Sequence, residues 1–475
     1  MDIITIFQAL LRWGVFAFIG GLLLGLTIFA GYMIYKKVFH GQRSMSKKQG
    51  LILFLLSCWL LLVLALTTLS RGSNFTGSFN IDFFSGYVNA WNKWSISELQ
   101  LIIFNMLMFT PLGFLLPLFW KKAEKFKVTF FVSIGLTICI EIIQLFTGVG
   151  IFELDDLFHN CIGSLFGYFC IMAILPIIRE KRVNFASVGK ALIFPCVTGM
   201  VIGIASLVYK QQPYGNMPIL PAAKQDMSKI QIITDLPLED EPATASIYKN
   251  TYTEDQDYIE RIISGFSELE DITFSSIQRR EGEKRIYTGK SPNSEDVQLS
   301  VFFRTGDWSY TTWGDAATLT EKVAKNYGDF YKSWLKESGL LPATAVFSIQ
   351  NNDTLRWDVL EENDLSIAKT AFTSGSTIMQ FDSNLKLTSM YYGISWNEYV
   401  ATEEIISPKA AFEQVEDGNF EQYVPFQQGD TLWVKECRLA YVYDTKGFYQ
   451  PVYQFTGYIN NEDNLWDCQI PALAK

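Results

Sequence analysis

Residues 141–160 read EIIQLFTGVGIFELDDLFHN, and seven of them can exchange protons or form strong hydrogen bonds: Glu141, Gln144, Glu153, Asp155, Asp156, His159 and Asn160. Carboxylates beside an imidazole can act as general acid and base. The same groups with two amides can hold the head group of a lipid or a lipid-anchored drug. Two carboxylates and one histidine could also take a divalent cation, but the spacing matches no metal motif, and neither metal nor cofactor is expected. A structural reading competes with these. Polar groups can bond across helices and fix register, with Asp155 placed to N-cap its own helix and to suit that helix's dipole.

The flanks decide where this chemistry sits. KVTFFVSIGLTIC comes before and CIGSLFGYFCIMAILPII after. An ionisable group in hydrocarbon is costly unless it is paired or wetted, so these side chains must gather. Six windows are apolar over about 20 residues, the length that crosses a bilayer. They lie near 13–35, 51–69, 101–120, 128–146, 157–178 and 190–209. The first has no small-residue cleavage site after it and reads as a retained span rather than a signal peptide.

The short loops orient the spans. KKVFHGQRSMSKK, KKAEKFK and REKR follow the first, third and fifth windows, and the alternate connections are poor in Lys and Arg. The basic loops are expected to be cytoplasmic. The N-terminus, the 71–100 loop, the acidic turn before Asp156 and everything after residue 209 then face outside. Trp91, Trp94 and Tyr87 suit an interfacial aromatic belt.

Charge divides the chain at the same place. Residues 1–209 hold 16 of the 39 Lys+Arg and 9 of the 49 Asp+Glu, near +7; the remaining 23 and 40 leave 210–475 near −17. The expected organisation is a transmembrane domain over 1–209, a Pro-rich linker over 210–225 and an extracytoplasmic domain over 226–475. The acidic second part argues against nucleic acid as a partner.

Beyond the linker, helical spacing around Tyr258–Phe266, Leu319–Leu335 and from Pro408, with Ser407 as N-cap, alternates with period-2 strands. DTKG at 444–447 reads as a turn between two strong strands. The fold class is therefore a membrane α-helical bundle of six transmembrane helices followed by a soluble α+β domain with antiparallel sheets. Five of seven cysteines lie in apolar windows as small core residues; Cys437 and Cys468 are either an extracytoplasmic disulfide or two buried thiols. No phosphate loop, HExxH or GxSxG occurs.

A bundle face for the polar residues can be drawn. Asp156, His159, Asn160 and Gly163 fall on neighbouring turns, and Gly167 continues the stripe. Small residues there let another helix approach closely. Asn105 opens the third window, and Pro111 within it removes one helical hydrogen bond. A tight hairpin of the fourth and fifth windows returns Glu141 toward Asp156, where Asn105 and Arg71 could join them at the outer mouth.

NMLMFTPLGFLLP, EIIQLFTG and FELDDLFHNCIGSLFGY, in that order, resemble the VanZ-like family of membrane proteins over about 50–180. The resemblance marks Arg71, Asn105, Pro111, Gly113, Glu141, Gln144, Asp155 or Asp156, Asn160 and Gly163. Many members carry Arg shortly before the Phe-acid-x-Asp-Asp run, where this chain has Gly150. The family is named for a protein giving low-level resistance to teicoplanin-type glycopeptides. The resemblance implies no established biochemical activity; the expectation adopted is a non-enzymatic envelope protein, fitting a Gram-positive origin, that engages a membrane lipid or lipid-anchored antimicrobial at the outer leaflet. Two alternatives stay open: a membrane enzyme acting on a lipid-linked envelope precursor, and a signalling accessory binding an extracytoplasmic protein or peptide. For the latter, ISPKAAFEQVEDGNF and YVYDTKGFYQPVYQF resemble PepSY- and YycI-like units.

Overall fold

The computed structural model describes residues 3–42, 45–69, 79–147, 152–281, 284–292, 295–314, 317–351, 353–359, 365–422 and 424–474. Arg71 and Gly150 lie outside the described residues. The chain folds as two compact units, one helical and one built on strands.

The first unit is helical. α1 (Ile3–Lys37), α2 (Lys47–Leu64), α4 (Ile96–Phe119), α5 (Phe126–Thr147), α6 (Leu154–Glu180) and α7 (Phe185–Gln211) carry the six stretches that, among the described residues, are long and apolar enough to cross a membrane, the second running on to Thr67. The chain is accordingly a multi-pass membrane protein. Each helix matches an expected window and starts before it, whereas α2 ends at Leu64 and α4 at Phe119, short of the expected 69 and 120. Ser46 begins α2 with a capping box: its hydroxyl accepts from Gln49 N, and the Gln49 side chain accepts from Ser46 N. A short helix, α3 (Ser85–Asn92), was not expected.

α6 is the hub. It packs on α4, α5 and α7, while α2 bridges α1 and α4. The α4–α6 seam is held by glycine. A methyl on Gly163 would lie 1.5 Å from Met106 O, one on Gly113 1.7 Å from Ser164 O, and one on Gly167 2.0 Å from Thr110 O. No side chain fits there, so the backbones touch. Pro111 sits inside α4, which continues through it.

The second unit carries one 13-stranded sheet. Its main path runs β3 (Gln231–Thr234), β13 (Thr431–Tyr443), β14 (Phe448–Ile459), β4 (Ala243–Asn250), β12 (Leu387–Ile405), β8 (Trp308–Thr312), β7 (Asp296–Phe302), β6 (Lys284–Lys290) and β5 (Thr273–Glu281). β11 (Phe372–Phe381) pairs β12, then come β10 (Thr354–Val359) and β9 (Val346–Gln350), while β15 (Leu465–Pro471) pairs β14. The sheet is mixed rather than purely antiparallel, since β3 runs parallel to β13. A two-stranded parallel pair, β1 (Phe79–Asn80) and β2 (Phe152–Glu153), belongs to the helical unit.

Two large cores form on this sheet, besides a small cluster of Tyr248, Leu365 and Phe372. α8 (Gln256–Leu269) and α9 (Glu321–Glu337) bury Tyr258, Ile262, Phe266, Tyr331 and Leu335 with Trp308, Trp357 and Tyr392. α10 (Pro408–Glu416) buries Phe412 and Val415 with Phe420, Phe455 and Trp466. Ser407 caps α10, accepting from Ala410 N at 3.1 Å. The DTKG turn is tied by Asp444, whose side chain accepts from Lys446 N and Phe448 N at 2.7 and 2.9 Å, with Gly447 at φ +80°. Part of the expected linker is anchored: Asp444 also accepts from Gly215 N, and Thr445 Oγ1 from Asn216 N.

Cys437 and Cys468 are free. Both stand opposite Phe455, one on each side of β14. Two strand spacings place their backbones about 9.6 Å apart, beyond the roughly 7 Å a disulfide spans. This geometry allows two free thiols, Cys468 buried and Cys437 half-buried.

Candidate functional site

α6 starts at Leu154 without side-chain capping from Glu153. Asp155 does not N-cap its own helix. It lies inside the first turn, 5% exposed, and turns to α3. Its carboxylate accepts from Phe84 N at 2.7 Å, Gly86 N at 3.0 Å and Ser85 Oγ at 3.4 Å. Asp155 thus caps α3 from a distant part of the chain, supplying negative charge where that helix's free N–H groups collect. The same bonds hold Phe84 at φ +67°, a left-handed conformation that an aromatic residue rarely takes.

Asp156 points to α4. Asn105 Nδ2 donates to its Oδ1 at 2.9 Å, and His159 Nδ1 lies 3.9 Å from the same oxygen, too far for a hydrogen bond but within ion-pair range. On the other side of the imidazole, Nε2 is 3.1 Å from the Tyr87 hydroxyl. Burial, reinforced by the charge of Asp155, pushes Tyr87 up to about 12. Tyr87 therefore stays a phenol at neutral pH, and the tautomer of the imidazole sets which of the two atoms donates. The order Asn105–Asp156–His159–Tyr87 joins α4, α6 and α3 into one chain of polar groups.

The remaining residues flank this chain. Glu141, 2% exposed, has Oε2 at 3.5 Å from Glu153 N, the long limit of a hydrogen bond. Gln144 donates from Nε2 to Thr67 O at 3.2 Å. Asn160 is buried, and its Oδ1, like Gln144 Oε1 and His159 Nδ1, has no hydrogen-bond partner among the described residues. The described contacts of Glu141 run to the start of α6, and those of Asp156 to Asn105 and His159. Three sets of contacts therefore sit about the start of α6: Glu141 with Glu153 N, Asp155 with α3, and the Asp156 chain, while Gln144 bonds Thr67. Among the described residues no group of three or more His, Cys, Asp or Glu side chains could hold a metal ion.

Tyr87 has a second role that its sequence position did not reveal. It lines an apolar groove of about 570 Å³ between α4, α6 and α7, with Phe84, Ile102, Met106, Phe158 and Phe166. Ser133 and Ser164 were also missed. Their hydroxyls meet at 2.6 Å between α5 and α6, buried. A serine in an apolar window is a weak signal until its partner helix is known.

Residues 51–177 match the family model described as VanZ/LLP1. That span contains every polar residue of the site. Among solved structures, similar chains include an uncharacterized protein from Eubacterium rectale, 12% identical, covering 51% of this chain and 87% of that one at TM-score 0.22. Another is the Bacillus megaterium YpeB C-terminal domain, 12% identical, covering 46% of this chain and 98% of that one at TM-score 0.21. No curated protein matches the chain.

Proposed function

From the premise that residues 51–177 form a VanZ/LLP1 segment, we propose that the helical unit binds an envelope amphiphile in the outer leaflet, a membrane lipid or a lipid-anchored antimicrobial. Such binding lowers susceptibility to lipophilic glycopeptides of the teicoplanin type. One observation carries the reading: Tyr87 belongs both to the polar chain, through His159, and to the apolar groove. A head group needs donors and acceptors, and an acyl chain needs an apolar slot beside them. Asn160 Oδ1 and His159 Nδ1, buried behind the residues that line the slot, have no hydrogen-bond partner among the described residues and add unsatisfied polar capacity to the polar chain. This reading puts the soluble unit on the wall side of the membrane, an orientation that the basic short loops support.

The test is susceptibility of a strain carrying only a variant chain. Asn105→Ala, Asp156→Ala and Asn160→Ala, each shown to insert at wild-type level, should raise teicoplanin sensitivity to that of a deletion strain. Wild-type susceptibility in all three would end the proposal. A second reading is favoured by the Asp156–His159–Tyr87 order, which suits proton transfer in a membrane enzyme acting on a lipid-linked precursor. A lipid species that disappears with both the gene deletion and His159→Gln would select it.

A further inference from the structure

Leu465 to Gln469 are five consecutive residues of β15, and all five line one cleft of about 730 Å³ in the strand unit. Successive side chains of a strand point to opposite faces. A cleft that touches all of them must run along the edge of the strand, beside its backbone, and not over one face. The register agrees: β15 pairs β14 on one side, from Val452↔Pro471 to Tyr458↔Leu465, and no described strand pairs its other side. Alternate N–H and C=O groups along that side are directed into the cleft.

The opposite wall is formed by residues 421, 422, 424–427 and 430. Asp430 ties it: Gln427 N donates to Asp430 Oδ2 at 2.7 Å, and Asn460 Nδ2 to Asp430 Oδ1 at 2.8 Å. The floor is Phe426 and Trp466, both buried, while Leu465 and Val424 stand 82% and 72% exposed. The charge is one-sided. Glu421, Asp430 and Asp467 line the cleft, and no Lys or Arg does. Lys93 approaches Glu421 at 3.9 Å. Asp467 is exposed and has no ion-pair partner among the described residues. The hydrogen bonds to Asp430 hold its carboxyl below the usual range.

We propose that β15 and the acidic cleft beside it form a binding site for an extended, cationic peptide segment, which adds as a strand to the open edge. Main-chain bonds to β15 supply affinity, and the pattern of the edge supplies selection. A residue directly opposite Asp467 is favoured as Lys or Arg, and its same-face neighbour opposite Leu465 as apolar. The site is independent of the amphiphile reading, since it uses only the strand unit.

The experiment uses the full chain in zwitterionic nanodiscs and a fluorescent peptide of sequence Lys-Val-Lys-Val-Lys-Val-Lys, read by anisotropy. Saturable binding is expected, weakened at least tenfold when alternate peptide nitrogens are methylated, because methylation removes strand hydrogen bonds but leaves the charge. Asp467→Lys, at an exposed position, should weaken binding by a similar factor without altering the melting temperature. Equal binding of the methylated peptide would overturn the proposal, showing attraction by charge alone. So would no saturable binding, or a Glu-Val repeat binding as well as the Lys-Val repeat. Concentration-dependent dimers cross-linked through Leu465→Cys in each copy would also overturn it, by making a second copy of the edge the occupant.

Discussion

At the α4–α6 seam, a single methyl on Gly163 would lie 1.5 Å from a backbone oxygen, whereas the strand unit fills its interior with Trp308, Trp357, Tyr258 and Tyr392, each wholly or almost wholly buried. The solvent explains the contrast. Between helices in lipid there is no gain from hiding apolar surface, so adhesion comes from close backbone approach and polar contacts. In water, burying apolar area drives assembly, and aromatic side chains supply the most per residue. The two units should therefore fail in opposite ways: the first when something is added, the second when something is removed.

The largest effects should come from Gly163→Val in the helical unit and Trp308→Ala in the strand unit. The nearest obstacle is the Met106 carbonyl, which cannot rotate away as a side chain could, so α4 and α6 must separate. A loss of at least about 3 kcal/mol is expected, the upper part of the overpacking range. It would be read as a collapse in the folded, detergent-extractable fraction. Gly14→Val is the control, since nothing lies within 4 Å of the added carbon. Similar yields of the two variants would break the comparison. In the strand unit, Trp308→Ala removes a fully buried ring that stacks on Tyr392 at 5.0 Å and bonds Tyr258 from Nε1 at 3.2 Å. The expected loss is about 3–5 kcal/mol, seen by near-ultraviolet circular dichroism on chemical unfolding.

Asp155→Ala tests the helical unit by removal. It deletes the acceptor for two backbone N–H groups and a hydroxyl at the start of α3. Charged acceptors of this kind contribute about 1.5–3 kcal/mol. Faster amide exchange at Phe84 and Gly86 is the measurement, and unchanged exchange would show that α3 holds itself.

That helix also shows where the sequence stops being readable. Six spans follow from composition, because a bilayer-length apolar run needs no partner to be recognised. α8, α9 and α10 follow from periodicity and, at Ser407, from a cap three residues from its target. α3 has eight residues, and the side chain that caps it lies about 70 positions away. Local patterns cannot carry such information, and the same distance misdirected the reading of Asp155 toward its own helix. Within the site, the α6 face holding Asp156, His159 and Asn160 was legible from spacing, whereas Tyr87 as their partner was not. The possible Cys437–Cys468 bridge illustrates the same limit, because only strand register reveals that Phe455 stands between them.

Acidity should separate the units again. Burial pushes Asp307 of the strand unit up to about 6, with Tyr391 and Thr305 bonds opposing the rise. The folded state then holds a proton that the unfolded chain, with an ordinary Asp, releases near 4. Between those values the folded state binds more protons, so stability is greatest at low pH and falls as pH rises through 6. Asp307→Asn should flatten the melting temperature of the strand unit between pH 4 and 7. An unchanged slope would place the titration elsewhere.

The smallest effect belongs to the buried Ser133–Ser164 pair, at 2.6 Å between α5 and α6. Ser133→Ala leaves the Ser164 hydroxyl without its interhelical partner. In water-soluble interiors an orphaned buried group costs about 1–3 kcal/mol. Among membrane helices the measured average for such contacts is nearer 0.6 kcal/mol, because the separated helices find other polar partners. The Ser133→Ala, Ser164→Ala double-mutant cycle on thermal stability should therefore give a coupling of about 0.6 kcal/mol. A coupling above about 2 kcal/mol would mean that polar bonds, and not glycine contact, carry the adhesion of α6. The seam and the aromatic cores would then differ less than their residues imply.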